Sequence, residues 1–208
     1  GEGGGVLLNQ CPHQLDLLQW ICGLPKRVQA FCHEGKWHDI EVEDDVTAYL
    51  EFENGATGVF VTTTGDAPGT NRFELTGTRG KLVCEDDVLT FWRLKEDERE
   101  FCRSSKEGFA KPETEKIIVE TDGENPQHVG VLNAFAANIL RGEPLVADGR
   151  EGIRGLTLSN ALHLSGWLHK PVEIPFDEDL FEQELGKRRK NSRRKEGGDI
   201  TFSTEGTY

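Results

Sequence analysis

The feature that most constrains this chain is a two-residue period broken once, at Asn54-Gly55. Before the break, Val46, Ala48, Leu50 and Phe52 alternate with Thr47, Tyr49 and Glu51; after it come Thr57, Val59, Val61 and Thr63. Alternation sends successive side chains to opposite faces of a strand. An Asn-Gly between two such runs supplies the positive φ that a tight hairpin turn demands. The spacing therefore predicts an antiparallel hairpin. Further strands are expected at Val28–Cys32, Arg72–Thr76, Lys81–Cys84, Val88–Arg93 and Lys116–Glu120, with Gly77 and Gly80 bracketing a second tight turn. Consecutive strands on short connections imply a mostly antiparallel sheet. Thr47, Tyr49, Thr57, Thr62 and Thr64 are expected on its open face, toward solvent or a partner.

Helical spacing frames these strands. Asn9–Cys22 reads as a helix with Asn9 as N-cap, Pro12 in the first turn, and His13, Leu17, Trp20 and Ile21 at helical intervals. Gly23 and Pro25 end it. Pro126–Arg141 and Glu151–His169 are amphipathic helices, and Val172–Pro175 is a last short strand. The fold class expected is α+β: a mostly antiparallel open sheet with helices packed on one face. Residues 1–176 form that domain in this reading. Residues 177–208 read as a polar tail, with an acidic helix-like piece (Asp177–Leu185) and a basic run, Lys187–Lys195. The run reads first as a solvated tail; the alternatives are a nuclear-localisation or nucleic-acid patch, or a segment folded back on an acidic surface or a neighbouring subunit. Trp20, Trp92 and Trp167 are expected in the core.

The chain carries 37 acidic and 24 basic residues, a net charge of -13. Repulsion from phosphates argues against nucleic-acid and anionic-membrane partners. No apolar run approaches the roughly 18 residues a membrane-spanning helix needs. Cys11, Cys22, Cys32, Cys84 and Cys102 are odd in number and scattered, so reduced thiols in a cytoplasmic protein are expected rather than a disulfide framework. No metal site is expected, since Cys11 and His13 have no second ligand pair at finger-like spacing. The sequence has no methionine and reads as the rear part of something longer.

The residues richest in chemistry are Gly3-Gly4-Gly5-Val6-Leu7-Leu8-Asn9-Gln10-Cys11-Pro12-His13-Gln14-Leu15-Asp16. A histidine just after a glycine run can reach a ligand while glycine lets backbone approach closely, and imidazole can take an alcohol proton near neutral pH. The alternative is a helix-start histidine satisfied locally. His33 and His38, around Gly35-Lys36-Trp37, read as surface-loop residues, with substrate contact as the other reading. Asp44-Asp45 read as a solvated turn, His128 as a capping or solvated residue, and His163 and His169 as packing and helix-end residues.

This ordered set resembles the C-terminal half of the Gfo/Idh/MocA oxidoreductases. The resemblance runs through the hairpin, Leu75-Thr76-Gly77-Thr78-Arg79-Gly80-Lys81-Leu82, Asp148-Gly149-Arg150-Glu151-Gly152 and the two late helices, about residues 1–176. It implies NAD or NADP as cofactor, bound mainly by an N-terminal Rossmann half whose fingerprint this chain lacks. It implies hydride transfer between nicotinamide and a sugar, polyol or related hydroxy compound, with His13 as general acid/base. Asn9 falls on a position often held by aspartate in the family, able to orient His13 but not to lend it a negative charge, and Asp16 on a carboxylate that commonly faces substrate. A homo-oligomer through the open sheet face is implied as well. The other reading is a non-catalytic ligand-binding or oligomerisation module of the same fold.

Overall fold

A computed structural model describes residues 3–193. The chain divides into two compact units, one drawn from the residues up to Gly65 and from Ala147 onward, the other spanning Asp66–Val146. In the first unit, β1 (Arg27–Glu34), β2 (Glu43–Glu51), β3 (Thr57–Thr63) and the short β8 (Val172–Glu173) form a sheet ordered β3-β2-β1-β8. The hairpin forms about Asn54-Gly55, with Gly55 at φ 83°. Its register pairs Leu50 with Val28 and Gly58, and Ala48 with Ala30 and Phe60.

Helices α1 (Val6–Asn9), α2 (Pro12–Cys22) and α5 (Gly152–Leu168) cover the inner face. Leu7, Leu15, Val28, Val46, Leu50, Leu158 and Leu162 are fully buried there. α6 (Glu178–Asn191) adds Leu180 and Phe181 to the edge of this core. It extends the expected acidic helix into the basic run, whose Arg194 and Lys195 lie outside the described residues, as does the rest of the 177–208 stretch.

The second unit holds β4 (Arg72–Gly77), β5 (Gly80–Glu85), β6 (Val88–Leu94) and β7 (Thr114–Ile118) in a consecutive antiparallel sheet. It also holds α3 (Glu98–Ser104), which periodicity did not foresee and which Asp97 caps by accepting the Arg99 N–H, and α4 (Gln127–Arg141). The α+β class and the antiparallel pairing hold, in two sheets.

Three expectations are corrected. The helix predicted from Asn9 is broken: α1 ends at Asn9, and Pro12, which cannot donate an amide hydrogen, starts α2 after Cys11. Thr62 and Thr64 do not face outward with Thr47, Tyr49 and Thr57; Thr62 pairs with the buried Val46 and so points toward the helices, while Val59 and Val61 are exposed. Trp20 is 68% exposed instead of core. Trp167 does pack against the core, and Trp92 is half-buried between Lys81 and Lys116. Among the described residues no helix is long and apolar enough to cross a membrane.

Candidate functional site

The glycine run enters the first unit where β2 begins. A Cβ on Gly5 would lie 2.1 Å from the Glu43 carbonyl oxygen and 2.5 Å from its carboxyl carbon, so only glycine lets the backbone lie against that residue. Two residues later the Leu7 N–H donates to Glu43 Oε1 (3.1 Å). The Asn9 amide donates to the Gly4 carbonyl (2.7 Å), closing the short helix back on the run. Cys11 sits buried at the corner, its thiol in hydrogen-bonding contact with the Thr62 side chain; burial is the main cause that raises its pKa to about 11. It is therefore a protonated, inert thiol at neutral pH.

His13 stands exposed in the first turn of α2, just past that corner. Asp16, also exposed, accepts from the Gln19 amide at 2.8 Å through Oδ1. Among the described residues no hydrogen bond joins His13 to Asn9 or to Asp16. The three predicted site residues thus occupy one corner of the unit, and Asn9 is bonded to the glycine run instead of the imidazole.

Two constellations beside this corner were not read from the sequence. The first is a buried pair: His163 Nε2 lies 3.1 Å from Glu43 Oε1, and His163 Nδ1 lies 2.9 Å from the Ser159 carbonyl. A carbonyl only accepts, so Nδ1 carries a hydrogen, and the proton between Nε2 and Glu43 completes a charge-assisted bridge. Burial pushes the Glu43 carboxyl up, yet His163 and the Leu7 amide hold it below the usual carboxylate range. The pair ties α5 to the glycine run.

The second corrects the reading of Asp44-Asp45 as a solvated turn. Asp44 is fully buried and accepts from the backbone N–H groups of Lys36 (3.0 Å), Trp37 (2.8 Å) and His38 (2.9 Å). Burial opposes its ionisation, but these amides, with the His38 imidazole, keep its pKa below the ordinary value. Asp45 gathers the Lys36 ammonium (2.8 Å) and His33 (3.1 Å), and the Lys36 hydrogen bond leads in lowering its pKa. Among the described residues no three His, Cys, Asp or Glu side chains converge as a metal set.

An open cleft of about 1070 Å³ borders Gly3, Gly4, Glu43 and His163 and is walled by α6. Phe181 stacks on Trp167 with centroids 5.3 Å apart, and the Arg188 guanidinium lies 4.2 Å from the Trp167 ring centroid. The Ser192 hydroxyl and Arg193 N–H donate to Glu41 (2.6 and 2.9 Å), and Arg188 reaches Glu34 at 4.0 Å. As far as Arg193, the basic run is therefore folded back on an acidic loop.

Every strand pair among the described residues is antiparallel. Among these pairs there is no parallel βαβ unit of the kind that cradles a dinucleotide.

Residues 1–83 match the family model described as GFO/IDH/MocA C-terminal domain. No curated protein matches. Among solved structures, the WlbA dehydrogenase from Bordetella pertussis, in complex with NADH and UDP-GlcNAcA, is 24% identical with a TM-score of 0.63 over 84% of this chain and 47% of its own. The WlbA enzyme of Chromobacterium violaceum, with the same ligands, is 26% identical with a TM-score of 0.63 over the same shares. Aldose-aldose oxidoreductase from Caulobacter crescentus, complexed with glycerol, is 18% identical with a TM-score of 0.64 over 83% of this chain and 48% of its own. This chain spans about half the length of these solved relatives.

Proposed function

We propose, for a chain whose residues 1–83 match the Gfo/Idh/MocA C-terminal domain, that it is the substrate-facing part of an NAD(P)-dependent oxidoreductase. The reaction class is oxidation of an alcohol carbon to a carbonyl on a sugar, polyol or related hydroxy compound. A bound NAD(P)+ would accept the carbon-bound hydrogen as hydride, and the hydroxyl hydrogen would leave as a proton. The cofactor would be held mainly by a nucleotide-binding half; both WlbA relatives are crystallised with NADH. The residues of this chain handle the proton and the alcohol.

The observation that carries this reading is the match of the family model over the segment that holds the glycine run, Asn9 and His13, with His13 exposed at the head of α2. In this reading His13 accepts the hydroxyl proton as general base. Among the described residues Asp16 is hydrogen-bonded through Oδ1, which leaves Oδ2 for a substrate hydroxyl. Asn9 acts by fixing the glycine run through Gly4. Oligomerisation belongs to the same proposal: Phe31, Tyr49, Val59 and Val61 form an exposed apolar face on the sheet opposite the helices, suited to a two-fold contact with a second copy. The five thiols are free, which suits a cytoplasmic setting.

One observation favours a second reading, a non-catalytic module. The Asn9 amide is engaged by Gly4 and, among the described residues, no carboxylate bonds to His13, so the imidazolium would form there without a bonded counter-charge. His13→Ala in the complete protein separates the two: turnover is expected to be abolished with cofactor affinity nearly unchanged. Retained turnover removes His13 from the mechanism.

A further inference from the structure

Asp44 holds a surface loop with unusual firmness. A buried carboxylate is costly unless its oxygens are hydrogen-bonded, and here the three consecutive amides of Lys36, Trp37 and His38 satisfy it. What this fixed loop presents is an aromatic ring. Trp37 is 52% exposed, so packing in the interior does not explain it. Its ring nonetheless has contacts on several sides. The indole N–H points to Asp45 Oδ2 (3.4 Å), and the Lys36 ammonium lies 5.3 Å from the ring centroid. The ring also rests on Gly65, where a Cβ would come within 2.3 Å of it.

His38 is fixed alongside. Its Nδ1 lies 3.3 Å from Asp44 Oδ2 and 3.1 Å from the Thr64 hydroxyl. Half of its side chain is exposed, and Nε2 has no protein partner among the described residues. A half-exposed indole beside an imidazole with one open nitrogen is the equipment for a ring that has C–H faces and hydroxyl edges. The C–H face lies on the indole, and a hydroxyl bonds to Nε2.

The loop also lies at the right place. Trp37 and His38 pack on Gly65 and Thr64, at the end of β3 where Thr62 contacts Cys11, the residue between Asn9 and His13. The same end of β2 supplies Glu43 to the glycine run. Asp44 and Asp45 make the local charge negative, with Lys36 already engaged by Asp45. An anionic ligand is disfavoured there.

The geometry points to the Gly35–His38 loop as a binding element for a neutral sugar or cyclitol ring, with Trp37 as the stacking platform and His38 Nε2 as the hydroxyl-recognising group. The proposal rests on the reading of the chain as acting on a sugar or polyol, and it names the residues that select the neutral ring.

The test follows the Trp37 indole N–H resonance, assigned by Trp37→Phe, in the 15N-labelled complete protein titrated with D-glucose, myo-inositol and D-glucuronate. The expected result is a saturable shift of the Trp37 signal with at least one of the two neutral rings and weaker binding of glucuronate. Trp37→Ala should weaken binding by more than about tenfold and Trp37→Phe by less. His38→Gln should cost up to about tenfold, the size of one lost hydrogen bond. Absence of a Trp37 shift with both neutral rings, equal binding by Trp37→Ala, or tighter binding of glucuronate overturns the proposal. Turnover that depends on His13 with no Trp37 response defeats the loop alone. A Trp37 response with no dependence of turnover on His13 defeats the catalytic reading and leaves the loop as a binding element.

Discussion

The two units of this chain use the same pattern of alternating strands and amphipathic helices to different ends. In the unit that carries the glycine run, α1, α2 and α5 close one face of the sheet, and Leu7, Leu15, Leu50, Leu158 and Leu162 leave almost no surface to water. In the unit spanning Asp66–Val146, Val83, Thr90 and Ala137 are the buried residues. There α4 shows Val129, Leu132, Phe135 and Ile139 at between 54% and 66% exposure. Polar ladders mark its sheet: Arg72 bonds Glu74 and Glu85, and Arg93 bonds Glu115. Exposed pairs of this kind contribute little to stability. A hydrophobic period thus identifies which face of an element is apolar, and only the first unit shows what covers it.

That contrast implies that substitutions in the first unit carry the large effects. The largest is expected at Glu43→Ala, which strands the His163 imidazole and the Leu7 N–H in the interior. Breaking a buried pair by removing one partner costs about 3–5 kcal/mol, measurable as a fall in the urea midpoint. A loss below about 1 kcal/mol would mean that the bridge is not formed as described. Leu162→Ala comes next. Its side chain is fully buried in the α5–sheet core, and such truncations cost about 2–5 kcal/mol, with the larger values where the cavity cannot collapse.

The sequence made much of the first unit legible, for a physical reason. Strand alternation and the Asn54-Gly55 turn are local, and they set the register that puts Val46, Ala48 and Leu50 under the helices. The corner at Cys11 was also written locally, in Pro12, but the good capping chemistry of Asn9 drew the helix start three residues too early. Asp44 shows what composition hides. Two adjacent acids look like a solvated turn, yet carrying the alternation back from Val46 puts Asp44 on the buried face and Asp45 outside, which is where they are. No local signal announces Glu43–His163: the residues are 120 positions apart, and their meeting depends on how α5 lies over the sheet. The roles of Asn9, His13 and Asp16 came from resemblance to a family; the structure places them at one corner without a bond from His13 to either of the others.

Acid should also weaken the first unit, by a smaller margin. Glu43 and Asp44 both titrate below their ordinary values in the fold. A depressed carboxyl stabilises the folded state above its unfolded pKa, near 4, and that contribution is lost as pH falls toward and through the folded value. Thermal unfolding followed by circular dichroism should therefore show a constant melting temperature down to about pH 5 and a decline below it. Asp44→Asn should flatten that acid limb. A melting temperature unchanged from pH 7 to pH 3 would remove both groups from the linkage.

The smallest effect is expected in the second unit, and it is the sharpest test of the contrast. Phe135 stands on α4 at 54% exposure, so Phe135→Ala removes no tightly packed contact and should change stability by no more than about 0.5 kcal/mol. A buried phenylalanine would instead cost about 3–5 kcal/mol. Denaturant midpoints of the two proteins decide between these values. A cost near the lower one leaves α4 as an open apolar surface of this chain. A cost near the higher one would mean that its face is covered in solution, and the difference between the two units would lie in what covers them, not in how much they bury.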